Sequence, residues 1–203
     1  MEQPKPIQKL IDIFCKFPTV GSRTAYRFVF YLLSLSKEDL SHISDLIRNL
    51  KNEISICSSC FLPFEKIDDY GICHICRSAK REKNVLCIIE KEADLFALEK
   101  TKKYKGLYFI LGGLFKSLKK IEEQNIRIDE LKERITQDDK IKEIILAINP
   151  TVEGEETIAY LTKSIKNING SIQITRLGRG LPQGGEMEYA DEQTLENAID
   201  GRK

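Results

Sequence analysis

The chain has 203 residues, 41% hydrophobic and 31% charged, with 32 Lys and Arg against 31 Asp and Glu. That length supports one sizeable domain or two to three small ones, and no apolar run approaches the roughly 20 residues needed to span a bilayer. A net charge of +1 and a pI near 7.5 exclude a uniformly basic nucleic-acid module, whose pI exceeds about 9. Any surface for nucleic acid must therefore be local.

Residues 1–54 read as helical. Ile7, Leu10, Ile11 and Phe14 recur at the spacing of one helix face. The run Phe17-Pro18-Thr19-Val20-Gly21 breaks that helix, because proline restricts the residue before it and Gly21 permits positive φ. Ser22 is placed to cap the next helix, lined by Ala25, Phe28, Val29, Leu32 and Leu33. A third helix follows Ser36 and carries Leu40, Ile43, Ile47, Leu50 and Ile54. The turn between the first two resembles a helix-hairpin-helix, whose backbone N–H groups can meet a DNA phosphate at a helix N-terminus. Arg23 and Arg27 stand one turn apart beyond it, on one face, as candidate phosphate contacts. Thr19 takes the place where that motif has glycine. An ordinary helical hairpin with solvated arginines is the alternative.

Residues 55–80 hold the strongest chemical pattern, Cys57-x2-Cys60 and Cys73-x2-Cys76. Two such turns converge four thiolates on one tetrahedral Zn2+ with no coordination position left for substrate. The expectation is one structural zinc per chain with His74 facing solvent, against the alternatives of disulfides or redox cysteines and of His74 replacing one sulfur. Cys15 and Cys87 sit in apolar patterns and read as small buried hydrophobes. Metal-type cysteines and an N-terminus without an export signal point to a cytoplasmic protein.

Between 81 and 175, apolar runs at 85–89, 107–111, 143–148 and 171–175 alternate with helical stretches at 92–100, near Leu118, near Ile128 to Ile135, and at 155–165. This predicts an α/β domain with a parallel sheet covered on both faces. Ligands in such sheets bind at the carboxyl ends of strands, where Glu90 and the segment Asn149-Pro150-Thr151-Val152-Glu153-Gly154-Glu155 fall. The arrangement resembles the Toprim domain, which there binds Mg2+ through a glutamate after the first strand and an Asp-x-Asp pair after a later one. Asn149 and Thr151 occupy the Asp-x-Asp positions here, so three carboxylates become one. Glu153 and Glu155 add charge nearby, though at a helix start the helix dipole is reason enough for them. Residues 176–203 form a glycine-rich tail, Leu177 to Gly185, followed by Asp191 and a short polar helix. No Walker A sequence is present.

The fold class expected is an α+β multi-module chain: helix-hairpin-helix, four-cysteine zinc finger, Toprim domain, glycine-rich tail. In that order the modules resemble the RecR family of bacterial recombination mediators over nearly the whole length. The resemblance implies recombinational DNA repair by a ring-forming, tetrameric, non-enzymatic clamp. Such a clamp binds single- and double-stranded DNA without sequence preference and acts with RecO or RecF to place RecA on SSB-covered single strands. It implies zinc at Cys57, Cys60, Cys73 and Cys76 and DNA at Arg23 and Arg27. It also likens the segment from Arg176 to Asp191 to a Walker B motif. Glu90, Glu153 and Glu155 would form an anionic rim for a basic protein partner. A small Toprim nuclease or primase-like enzyme, and a zinc adaptor without DNA contact, are the competing classes.

Overall fold

The computed structural model describes residues 3–66, 70–115 and 126–202. Two compact units divide the chain, Met1–Ser55 and Ile56–Lys203. No helix among the described residues is long and apolar enough to cross a membrane.

The first unit comprises α1 (Lys5–Phe14), α2 (Ser22–Ser34) and α3 (Lys37–Glu53). Ile11, Ala25 and Val29 are buried, and Ile7, Phe14, Cys15 and Val20 pack around them. Phe14 meets Phe17 and Phe28 edge-on. The Ser36 hydroxyl caps α3 by accepting from the Asp39 N–H at 3.1 Å. At α2 the expectation is corrected: Gly21 is the N-cap, at φ −89°, and Ser22 is already helical. Ile54 likewise leaves α3 and opens β1 (Ile54–Ile56), which pairs with β2 (Pro63–Glu65). The unit hides few of its apolar side chains. α3 has no buried residue, and Ile47 and Leu50 are 70% and 61% exposed.

In the second unit, α4 (His74–Arg77) completes the cysteine module, and a four-stranded parallel sheet follows. Its strands are β3 (Glu82–Ile89), β4 (Gly106–Ile110), β5 (Glu143–Ala147) and β6 (Gln173–Arg176), in the order β4-β3-β5-β6. Side chains alternate across a strand, and the core divides by that parity. Leu86, Ile88, Phe109, Ile144 and Leu146 pack on the face covered by α6 (Ile128–Gln137) and α7 (Val152–Ile168). Cys87, Ile89, Tyr108 and Ile110 pack on the other, against Leu95 of α5 (Glu92–Lys100) and the cysteine module. Both faces are buried, which is why the strands read as continuous apolar runs. A 3-10 turn (Met187–Tyr189) and α8 (Glu192–Asp200) form the tail. The helical stretch expected near Leu118 falls outside the described residues.

Candidate metal centre, strand-end site and hairpin

The four cysteine sulfurs lie within 4.8 Å of one another. The Cys60 and Cys73 sulfurs are 3.5 Å apart, far longer than a disulfide of about 2.05 Å. Metal–sulfur bonds of about 2.3 Å arranged tetrahedrally give sulfur–sulfur edges of roughly 3.8 Å, so the cluster has the dimensions of a thiolate metal site. Local backbone produces it. The Phe61 N–H donates to Cys57 O at 2.9 Å, and Phe61 takes φ 65° to close the first turn. In the second, Arg77 N–H donates to Cys73 O at 3.2 Å, and the Cys73 N–H points at the Cys57 sulfur, 3.3 Å away. Hydrogen bonds from Cys60 and the other two thiols pull Cys57 far below the usual thiol range. Those to Cys57 push Cys60 and Cys76 far above it. His74 is exposed and stands outside the cluster.

The module is fastened to the sheet by its own backbone and two arginines. Ile110 N–H donates to Cys60 O at 3.1 Å. Arg134 donates to Ser59 O at 2.5 Å and to Tyr108 O at 2.9 Å. Arg127 donates to Ile110 O at 3.0 Å and lies 4.7 Å over the Phe61 ring. Arg81 pairs with Glu99 at 2.5 Å, and Tyr108 donates to the same carboxylate at 2.6 Å. The Arg81 hydrogen bond holds the Glu99 carboxyl below its ordinary range.

At the carboxyl ends of β3 and β5, Asn149 Nδ2 donates to Glu90 Oε2 at 3.1 Å. A Toprim metal would stand between carboxylates at these positions. Here an amide fills the place of one and already satisfies the glutamate. Thr151 caps α7, its hydroxyl accepting from Gly154 N–H at 3.1 Å, so its oxygen is committed to the helix start. Gly154 is required there, because a Cβ would lie 2.0 Å from Asn149 O. These residues fit a hydrogen-bonded loop and do not fit a three-carboxylate Mg2+ site.

The anionic rim needs one correction. Glu155 accepts from Arg176 at 2.5 Å and also from Arg179, so its charge is neutralised within the fold. Glu90 and the exposed Glu153 remain. The two arginines and Glu155 line a cleft of about 530 Å3 between the strand ends and α8. Sequence reasoning missed this cluster. Its signal was the spacing of Arg176, which ends the last strand, and Arg179 three residues on, where the chain reaches the carboxyl ends of the sheet.

In the first unit Arg23 and Arg27 are exposed on consecutive turns of α2. Arg23 lies in the helix's first turn, which carries no acid. A cation there opposes the helix dipole by roughly 0.3–1 kcal/mol. The left-handed residue of the hairpin is Thr19, at φ 63°, whereas Gly21 does not use its freedom. The turn thus adopts the conformation glycine would favour, at a position where the chain has threonine.

Comparison with known proteins matches this architecture. Residues 7–51 fit the RecR helix-hairpin-helix model, 84–178 the Toprim domain model and 180–203 the RecR C-terminal model. Recombination protein RecR of Dehalococcoides mccartyi is 44% identical over 97% of this chain and 93% of its own length. The chain belongs to the RecR family. Its counterpart from Staphylococcus saprophyticus is 40% identical over 100% of this chain and 98% of its own length. Membership of this family places the chain in DNA recombination, with repair following from the family role.

Proposed function

We propose that this chain is a recombination mediator that assembles into a ring on DNA and, with RecO or RecF, helps load RecA on SSB-covered single strands. The observation that carries this reading is end-to-end similarity to proteins named Recombination protein RecR. The exposed apolar side chains of the first unit support self-association: Tyr31, Leu33, Ile47 and Leu50 stand in water, as surfaces that bind other proteins do. Arg23 and Arg27 would grip phosphates, and several copies in a ring would multiply weak contacts. Zn2+ is the metal that four thiolates in this geometry favour, and it would act by holding the module folded.

The protein would be no enzyme, because Asn149 and Thr151 offer neutral groups where Mg2+-dependent phosphoryl chemistry needs anions. Glu90 and Glu153 would meet a basic protein partner, and the working site would be the cytoplasm. The test is RecA filament formation on SSB-covered single-stranded DNA, with this protein and its cognate RecO or RecF added. Faster RecA nucleation that requires both components is expected. No effect on nucleation, or DNA cleavage with Mg2+ that vanishes in Glu90→Ala, would overturn the reading.

A further inference from the structure

We infer that the α/β unit carries a second phosphate-backbone contact, at the amino ends of its strands and separate from the hairpin arginines. The parallel register brings lysines together there. Lys105 O accepts from Glu82 N–H at 2.9 Å, Lys142 N–H donates to Asn84 O at 2.9 Å, and Lys142 O accepts from Gln173 N–H at 2.8 Å. Lys105, Lys83 and Lys142 therefore belong to the amino ends of three adjacent strands, β4, β3 and β5. With strands about 4.8 Å apart, they span about 10 Å of one sheet edge. Lys102 and Lys103 stand in the turn that enters β4, and Lys140 in the loop that enters β5. All six lysines are exposed, and none is in an ion pair among the described residues.

Helix dipoles account for Lys100 and Lys166, in the last turns of α5 and α7. They bear also on Lys102 and Lys103, which directly follow the α5 C-cap Thr101, but not on Lys83, Lys105 and Lys142 at the strand ends. The acids at the same end are fewer. Glu99 is held by Arg81, and Glu143 accepts from Thr175 at 2.7 Å. Glu82, Asp138, Asp139 and Glu143, whose neutral hydrogen-bond donor leaves its charge in place, face the six lysines. In a chain of net charge +1, this is a local excess of cations.

The turn carrying Lys102 and Lys103 is built, not slack. Lys103 N–H donates to Thr101 Oγ1 at 3.2 Å. Tyr104 donates its hydroxyl to Leu107 O at 2.7 Å. Gly106 sits so tightly that a Cβ would lie 2.6 Å from Val85 O. Lys102 is left-handed, at φ 56°, and ends α5 with its N–H donating to Glu99 O at 3.0 Å. Tyr104 is half-buried with its hydroxyl engaged, so the platform presents charge without an exposed ring to stack on a base. Such a surface suits a uniform polyanion read through its backbone. That the polyanion is DNA rests on the recombination reading above.

The test uses full-length protein and a Lys102→Ala/Lys103→Ala/Lys105→Ala/Lys142→Ala variant beside Arg23→Ala/Arg27→Ala. Fluorescence anisotropy with labelled oligo-dT over a range of NaCl reads affinity and salt slope. Loss of four contacts lowers the slope by about 3, at roughly 0.7 per phosphate on single strands. In wild type, mass spectrometry after lysine acetylation should show the four lysines protected by DNA, a readout that does not depend on the variant folding. Unchanged reactivity, or wild-type affinity and slope in the lysine variant, overturns this contact while leaving the hairpin reading standing. If wild-type protein binds no DNA, the recombination reading falls with it. Acetylation protection by phosphatidylglycerol vesicles and not by DNA would assign the lysines to a lipid surface and overturn the inference.

Discussion

Thr19→Gly should stabilise the first unit. Thr19 is exposed and sits at φ 63°, a region that costs a non-glycine residue about 1–3 kcal/mol. Glycine removes that strain but adds chain entropy in the unfolded state, worth about 0.5–1 kcal/mol. The balance is a gain of about 1 kcal/mol, or about 4–8 °C in the melting of a unit this small. Two residues on, Gly21 lies at φ −89° and ψ 171°, and a Cβ there would meet nothing within 4 Å. Gly21→Ser should therefore be tolerated and gain a few tenths of a kcal/mol as an N-cap. Thermal melting followed by circular dichroism at 222 nm measures both. DNA affinity of Thr19→Gly should be no weaker than wild type, since the substitution relaxes the hairpin without moving it. A fall in Tm for Thr19→Gly would show that the threonine side chain contributes more than its strain costs, and would refute the reasoning.

Cys57→Ser or Cys76→Ser should lose the single equivalent of zinc that elemental analysis of wild-type protein is expected to find, and lower the unfolding midpoint in urea. Wild-type protein with no metal and a disulfide would reverse this. Asn149→Asp/Thr151→Asp should bind Mg2+ or Mn2+ measurably by calorimetry where wild type does not, because it restores two anionic oxygens beside Glu90; no gain in binding would show that the loop, and not its charge, excludes the ion. Glu99→Ala should cost about 2 kcal/mol, since it strands the Arg81 guanidinium and the Tyr108 hydroxyl together. Arg81 holds the Glu99 carboxyl below its unfolded range, so the wild-type contribution is complete above about pH 4.3 and fades as the pH falls further. Stability measured against pH should consequently drop more steeply on the acid side in wild type than in Glu99→Ala.

The α/β unit was legible because its strands are buried on both faces. Leu86 and Cys87 point to opposite faces yet both meet apolar neighbours, so the run shows no alternation and marks a parallel sheet. The cysteine module was legible because its spacing leaves one geometry. The hairpin was read in part: Thr19, standing where the motif has glycine, takes the positive φ expected there, while Gly21 does not. Glycine at position 21 signals permissiveness, but permissiveness does not say which residue of a turn spends it, and here Thr19 does. The amphipathic stripe of α3 identified a helix correctly, while Leu50 and Ile47 remain exposed within this one chain. Periodicity reports which face is apolar without naming what covers it. Glu155 was read as a surface acid because its partners, Arg176 and Arg179, lie more than twenty residues away and meet it only when β6 is placed beside β5.

A near-neutral chain can serve a polyanion only if its charges are sorted, and the second unit sorts them along the strand axis. α5 and α7 run back along the sheet, so their amino ends, with Glu92, Asp94 and Glu153, lie beside the carboxyl ends of the strands. That placement is favourable for each helix separately. It also leaves the strand-carboxyl end mixed, with Glu90 bonded to Asn149 and Glu155 held by Arg176 and Arg179. At the opposite end the starts of β3, β4 and β5 carry Lys83, Lys105 and Lys142, which no helix terminus requires. The acids at the strand-carboxyl end repel phosphate, and with Asn149 and Thr151 neutral they would offer a divalent cation fewer anionic oxygens to offset that repulsion. A Toprim domain with Asn149 and Thr151 at these positions would therefore hold DNA from the strand-amino side, away from Glu90.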